Sequence, residues 1–259
     1  MDVIAYNRNA WNREAEGGSA WSIPVDADTI AAARTGDWSV VLTPLRAVPR
    51  DWFGDVAGRD VLCLASGGGQ QAPVLAAAGA TVTSFDLSDA QLDRDRTLAQ
   101  AHGLPLCCVQ GDMRDLSAFG DGCFDLVFHP VSNVFVPEIR PVWDACHRVL
   151  RPGGVLLVGF MNPALFLFDF DESTDSGQLV AKYPAPYAEP GSLDADARAR
   201  FERSGRPAEF GHSLQDQIGG QLEAGFMLTG LYEDGWAETA MPFGRYAPVA
   251  VATRAIKPV

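Results

Sequence analysis

Between residues 60 and 71 a short run of strand-forming residues ends in three successive glycines, Leu62-Cys63-Leu64-Ala65-Ser66-Gly67-Gly68-Gly69-Gln70-Gln71, and a helical pattern follows. Glycine is needed where a chain turns tightly or a ligand approaches the backbone. In an open α/β sheet, such a strand-to-helix turn faces the edge where ligands bind. Glycines in such a turn can also serve packing alone, so the residues that close the next strands decide the reading. Residues 81–85 end in Asp86, about 20 residues past the glycines, where an acid can accept hydrogen bonds from ribose hydroxyls. Residues 106–110 lead into Gly111-Asp112-Met113. That acid can accept from an adenine amino group while the thioether packs on the ring.

Apolar runs at 60–65, 81–85, 106–110, 124–128 and 155–160 alternate with helical patterns at 70–78, 89–102 and 141–150. This alternation predicts a parallel sheet with helices on both faces. Ser88 is a good N-cap and Gly103 a good stop for the second helix. Arg151-Pro152-Gly153-Gly154 turns the chain into the fifth strand, and residues 226–232 and 246–255 read as two more.

The series resembles the class I S-adenosylmethionine-dependent methyltransferases over roughly residues 60–255. The glycine-rich motif falls at Val61 to Gly69, the ribose acid at Asp86 and the adenine acid at Asp112. The resemblance implies a doubly wound, seven-stranded, mostly parallel Rossmann-like sheet with an N-terminal cover and an insertion after the fifth strand. One domain, residues 1–259, is expected: cover 1–59, cofactor-binding core 60–160, substrate cap 161–215 and the last part of the sheet 216–259. The implied cofactor is S-adenosylmethionine, held by Tyr6, Trp11, Ala65, Ser66, Gly67, Gly69, Asp86, Leu87, Ser88, Gln91, Asp112, Met113 and His129. The chain departs from the family where Cys63 replaces a usual acid and Ala65 the first glycine of the turn. The cofactor's ammonium group is then expected to rely on backbone carbonyls or another side chain.

Methyl transfer to a small molecule follows, mainly by holding donor and acceptor in line. If the acceptor must lose a proton, histidine is the natural base. His129, after the fourth strand, and His212, after the insertion, are the candidates; His129 could instead be satisfied by local backbone, and His212 could simply precede a helix capped by Ser213. Phe166, Phe168, Phe170, Tyr183 and Tyr187 predict an apolar acceptor pocket. A nicotinamide-dependent oxidoreductase shares the glycine-acid pattern, and a non-catalytic S-adenosylmethionine-binding module also fits.

Charge narrows the partners. Twenty basic against 33 acidic residues give −13, which repels phosphate backbones and anionic lipid, so neither nucleic acid nor a membrane is expected. Arg198, Arg200, Arg203 and Arg206 are interleaved with acids and read as a solvated helix face. No apolar run is long enough to span a bilayer, and Met1-Asp2-Val3-Ile4 opens no leader, so a cytoplasmic protein is expected. The five cysteines show no zinc-type spacing. Cys63, Cys107 and Cys108 read as small buried hydrophobes of strands, and no metal is expected. Oligomeric state stays open.

Overall fold

A computed structural model describes residues 2–236 and 241–259; Met1, where the leader was sought, lies outside them. Helices α1 (Val3–Gly17), α2 (Ala27–Arg34) and α3 (Arg50–Phe53) precede β1 (Asp60–Leu64). Next come α4 (Ala72–Ala77), β2 (Thr81–Asp86), α5 (Asp89–His102), β3 (Leu106–Gln110), β4 (Phe124–His129), α6 (Arg140–Val149) and β5 (Leu150–Met161). The insertion holds α7 (Phe170–Ser176), β6 (Tyr187–Ala188), α8 (Ala195–Ser204) and β7 (Phe210–Gly211). A π-helical turn, Gln215–Gly219, leads to α9 (Gly220–Glu223), β8 (Met227–Asp234) and β9 (Ala250–Ile256).

The seven-stranded sheet has the order β3-β2-β1-β4-β5-β9-β8. Strands β1 to β5 run parallel, while β9 pairs antiparallel with both β5 and β8. A central parallel strand is buried on both faces, and β1 shows how. Val61 and Cys63 join the core with Ile30, Leu75 and Phe128, whereas Leu62 and Leu64 join Phe85, Trp143 and Phe160 on the other face. On α6 the buried residues Val142, Trp143, Cys146 and Val149 keep the three-to-four spacing of a helix face.

Several expectations shift. Residues 151–154 form the irregular start of β5 rather than a separate turn: its pairing with β4 slips between Phe124 and Leu126, and Gly153 takes φ +79°. The last strand begins at Ala250; Tyr246 ends a short 3-10 turn, because Pro242 to Arg245 curl first. Cys107 is exposed, not buried, since β3 is the sheet's edge and this side chain faces out. Ser88 does cap α5, accepting from the Gln91 N–H at 3.2 Å. Among the described residues no helix is long and apolar enough to cross a membrane.

Candidate functional site

Strands β1 and β2 end side by side, and their tips carry the first chemistry. Ala65 takes φ +47°, a left-handed conformation that glycine would accept more easily. Its N–H donates to the Phe85 carbonyl at 2.7 Å. The Gly67 N–H donates to Asp86 Oδ2 at 3.0 Å, and the Ser88 N–H to Asp86 Oδ1 at 2.8 Å. A Cβ on Gly67 would lie 2.8 Å from Gln91 Cβ, so only glycine lets the turn lie this close to α5. Burial pushes the Asp86 carboxyl up, against the N–H bonds from Ser88 and Gly67 that hold it down.

The acid absent at position 63 has a counterpart from another element. Asp95 on α5 accepts from the Gly69 N–H at 2.8 Å and from Ser84 Oγ at 2.6 Å. It is fully buried, and burial pushes it up to about 7 despite those two bonds. Asp95 therefore braces the glycine turn from behind without reaching the cavity.

A cavity of about 540 Å³ opens above these tips. It brings together Trp11, Ala65, Ser66, Gly67, Asp86, Leu87, Gln91, Asp112 and Met113 from the expected shell. Asp112 is steadied by Arg114, whose Nη2 donates to Oδ2 at 2.6 Å. Among the described residues, Ser66 Oγ and Gln91 Oε1 are buried on this wall with no hydrogen-bond partner. Buried polar atoms are normally satisfied, so the pair fits a ligand with polar groups, and the adenosine and amino-acid portions of S-adenosylmethionine carry them.

Other expected residues stand back from the cavity. Gly69 is closed off by Pro24, whose Cβ would lie 2.8 Å from an added Cβ. Ser88 spends its hydroxyl on Asn12 Oδ1 at 2.6 Å. Tyr6 donates its hydroxyl to the Arg206 carbonyl at 3.1 Å and packs on Phe201. His129 is fully buried, its Nδ1–H donating to the Leu64 carbonyl at 2.9 Å and its ring edge-on to Trp143. Burial pushes it down to about 4, so it is a neutral core residue. His212 donates through Nε2 to the carbonyls of Asn133 and Val136 at 3.1 and 2.9 Å. Neither histidine lines the cavity; each braces backbone behind its wall.

The insertion supplies the opposite wall. Phe166, Phe168, Phe170, Tyr183 and Tyr187 all line the cavity, as the sequence suggested. The arginine cluster is no uniform solvated face, because Arg200 and Arg206 turn inward to buried acids. Arg200 Nη2 lies 2.8 Å from Asp169 Oδ2, and Arg206 Nη2 lies 2.5 Å from Glu189 Oε1. Asn7, overlooked in the sequence, donates to the Phe135 and Ala208 carbonyls and accepts from the Ala208 N–H, pinning α1 across the cavity. Nothing local set it apart, since Arg8, Asn9 and Asn12 share its helix.

The sheet order and the acids at its strand tips are those of the class I S-adenosylmethionine-dependent methyltransferases, and the chain belongs to that family. A profile of the methyltransferase domain matches residues 62–158. The uncharacterized methyltransferase YbaJ of Bacillus subtilis (strain 168) is 46% identical over 255 residues, 98% of each chain. A ubiquinone biosynthesis O-methyltransferase of Pseudomonas aeruginosa (strain LESB58) is 31% identical over 129 residues, 49% of this chain and 56% of that one. Among solved structures, the 1,6-didemethyltoxoflavin-N1-methyltransferase of Burkholderia thailandensis, with bound 1,6-didemethyltoxoflavin and S-adenosylhomocysteine, aligns with TM-score 0.61 at 15% identity. The alignment covers 98% of this chain and 88% of that one. An S-adenosylmethionine-dependent methyltransferase from Mesorhizobium loti aligns with TM-score 0.59 at 18% identity, over 80% and 94%. The protein is thus an S-adenosylmethionine-dependent methyltransferase, and the nicotinamide alternative falls away.

Proposed function

We propose that this methyltransferase modifies a small, ring-bearing organic molecule enclosed between the strand tips and the insertion, within one domain spanning residues 1–259. The observation that carries this reading is the single cavity shared by Gly67, Asp86 and Asp112 on one side and Phe166, Phe168, Tyr183 and Tyr187 on the other. A concave pocket with aromatic walls suits a small molecule better than a polymer. The net charge of −13 argues in the same direction against nucleic acid.

S-adenosylmethionine supplies an electrophilic methyl group on a sulfonium sulfur. Asp86 is the group to take the ribose hydroxyls, Asp112 the adenine amino group, and Ser66 and Gln91 the remaining polar atoms at the turn. Trp11, edge-on to Phe135 at 4.9 Å between ring centroids, helps keep water from the reacting centre. Most of the rate is then positioning, since neither candidate histidine lines the cavity. The test is transfer of labelled methyl from S-adenosylmethionine to a panel of ring-bearing small molecules, with transfer RNA and peptide libraries alongside. Labelling confined to a polymer would overturn this reading.

A further inference from the structure

Apart from the carboxylates beside the strand tips, acids of the insertion also line the cavity, and their states differ. Asp169 accepts from Tyr183 Oη at 2.7 Å, from Arg200, from Lys182 and from the Glu172 N–H. Asp171 pairs with Arg200 Nε at 3.5 Å. Glu189 is saturated: Tyr187 Oη and Arg206 Nη2 donate to Oε1, and Arg206 Nη1 and the Glu209 N–H donate to Oε2. Asp86 and Asp112 are held by backbone N–H groups and by Arg114. Glu209 is different. Among the described residues no donor hydrogen-bonds its carboxyl, although its backbone is fixed on both sides by Glu189 and by the β7 pairing.

Glu209 is half-buried on the cavity wall, within reach of a molecule that enters it. Burial pushes the Glu209 carboxyl up to about 7, with Arg206 pulling it down and Glu189 pushing it further up. Arg206 cannot satisfy it fully, because both terminal nitrogens already serve Glu189. Phe166 stacks on Tyr187 at 5.6 Å between centroids on the same cavity wall, a surface that accepts another flat ring. Ala208, next to Glu209, is tied through Asn7 to Phe135, which also lines the cavity. The carboxyl is therefore anchored beside the segment that closes β4, not at a remote end.

We propose that the acceptor side of the cavity selects ring-bearing molecules that present an N–H or O–H donor, and that the Glu209 carboxyl receives it. This rests on the reading of the insertion as an acceptor pocket. A charge-assisted hydrogen bond to an otherwise partnerless carboxylate gives strong discrimination against a donor-free isostere. The aromatic walls supply shape and apolar contact; Glu209 supplies orientation.

The experiment titrates 2-phenylethylamine, 2-phenylethanol and ethylbenzene into protein saturated with S-adenosylhomocysteine, followed by NMR. In the native protein at least one donor-bearing probe should bind about tenfold or more tightly than ethylbenzene. Preference for the amine identifies an ammonium partner, and parity of amine and alcohol a neutral donor. Glu209→Leu should erase the preference, and Glu209→Gln, which keeps an acceptor oxygen, should retain part of it for the alcohol. Titration of each variant with S-adenosylhomocysteine checks that the fold is intact. Equal binding of all three probes to the native protein, or an unchanged preference in Glu209→Leu, overturns the role of Glu209 and leaves the pocket standing. Failure of every probe to bind overturns the pocket reading and this inference together.

Discussion

The two walls of the cavity are held by different means. At the strand tips, carboxylates receive backbone N–H groups: Gly67 and Ser88 on Asp86, Gly69 on Asp95. In the insertion, side chains supply most of the donors: Tyr183, Lys182 and Arg200 on Asp169, and Tyr187 and Arg206 on Glu189, with one backbone N–H on each acid. Backbone donors are fixed by the sheet, so the first wall is preorganised before any ligand arrives. The second depends on long side chains meeting across the insertion. Substitutions there should act on stability first, and substitutions of the strand-tip residues that face the cavity on cofactor affinity.

The largest expected effect tests how rigidly the glycine turn is braced. Asp95 has a folded-state pKa of about 7 against an ordinary value of 3.8, so the native state keeps a proton that the unfolded chain releases between those pH values. Its contribution to stability therefore falls as pH rises from 4 to 7 and is constant outside that window. Asp95→Asn, which cannot ionise, should gain on the native protein by roughly 2–4 kcal/mol across the window, measured by urea unfolding at each pH. Parallel curves would mean that the turn accommodates the charge.

Next in size is the insertion. Arg206→Met keeps the aliphatic stem but leaves the buried Glu189 without its cation, and should destabilise the fold by about 3 kcal/mol. Cofactor affinity, measured by calorimetry with S-adenosylhomocysteine on the folded fraction, should change little. A loss of cofactor affinity larger than the loss of stability would break the division between the walls.

Asp86→Ala reverses that pattern. Removing the acid should weaken S-adenosylhomocysteine binding by about 2 kcal/mol, the scale of a hydrogen bond to a charged group. Stability should shift less, because burial already disfavours the ionised carboxyl. The smallest effect is Ala65→Gly. Relief of the left-handed conformation at φ +47° should stabilise the protein by roughly 1 kcal/mol. An unchanged or lower unfolding midpoint would show that the Ala65 methyl packs well enough to offset its backbone strain.

Much of the first wall could be read from the sequence. Alternating runs located the strands, and Asp86 and Asp112 could be placed because each closes a run that the pattern defines. The nine cavity-lining residues of the expected shell all follow a strand tip except Trp11 and Gln91. Gly69 and Ser88 lie beside the ligand edge, as their sequence positions imply, but Pro24 and Asn12 reach them first. His129 is the last residue of β4 rather than the first beyond it, and strand alternation turns its ring toward Trp143 and away from the cavity.

What the sequence alone determined is the order of the elements and the chemistry at their ends, because period and turn residues act within a few positions of one another. Tertiary structure alone decided that Asp95 braces a turn 26 positions away, that Arg206 neutralises Glu189, and that Asn7 joins α1 to residues 128 and 201 positions distant. It also decided that Glu209 lines the cavity with no donor on its carboxyl among the described residues. Local periodicity carries no information about which buried polar groups will meet; that depends on how the insertion and the first helix pack against the completed sheet, where every carboxyl taken from water must find a partner or await one.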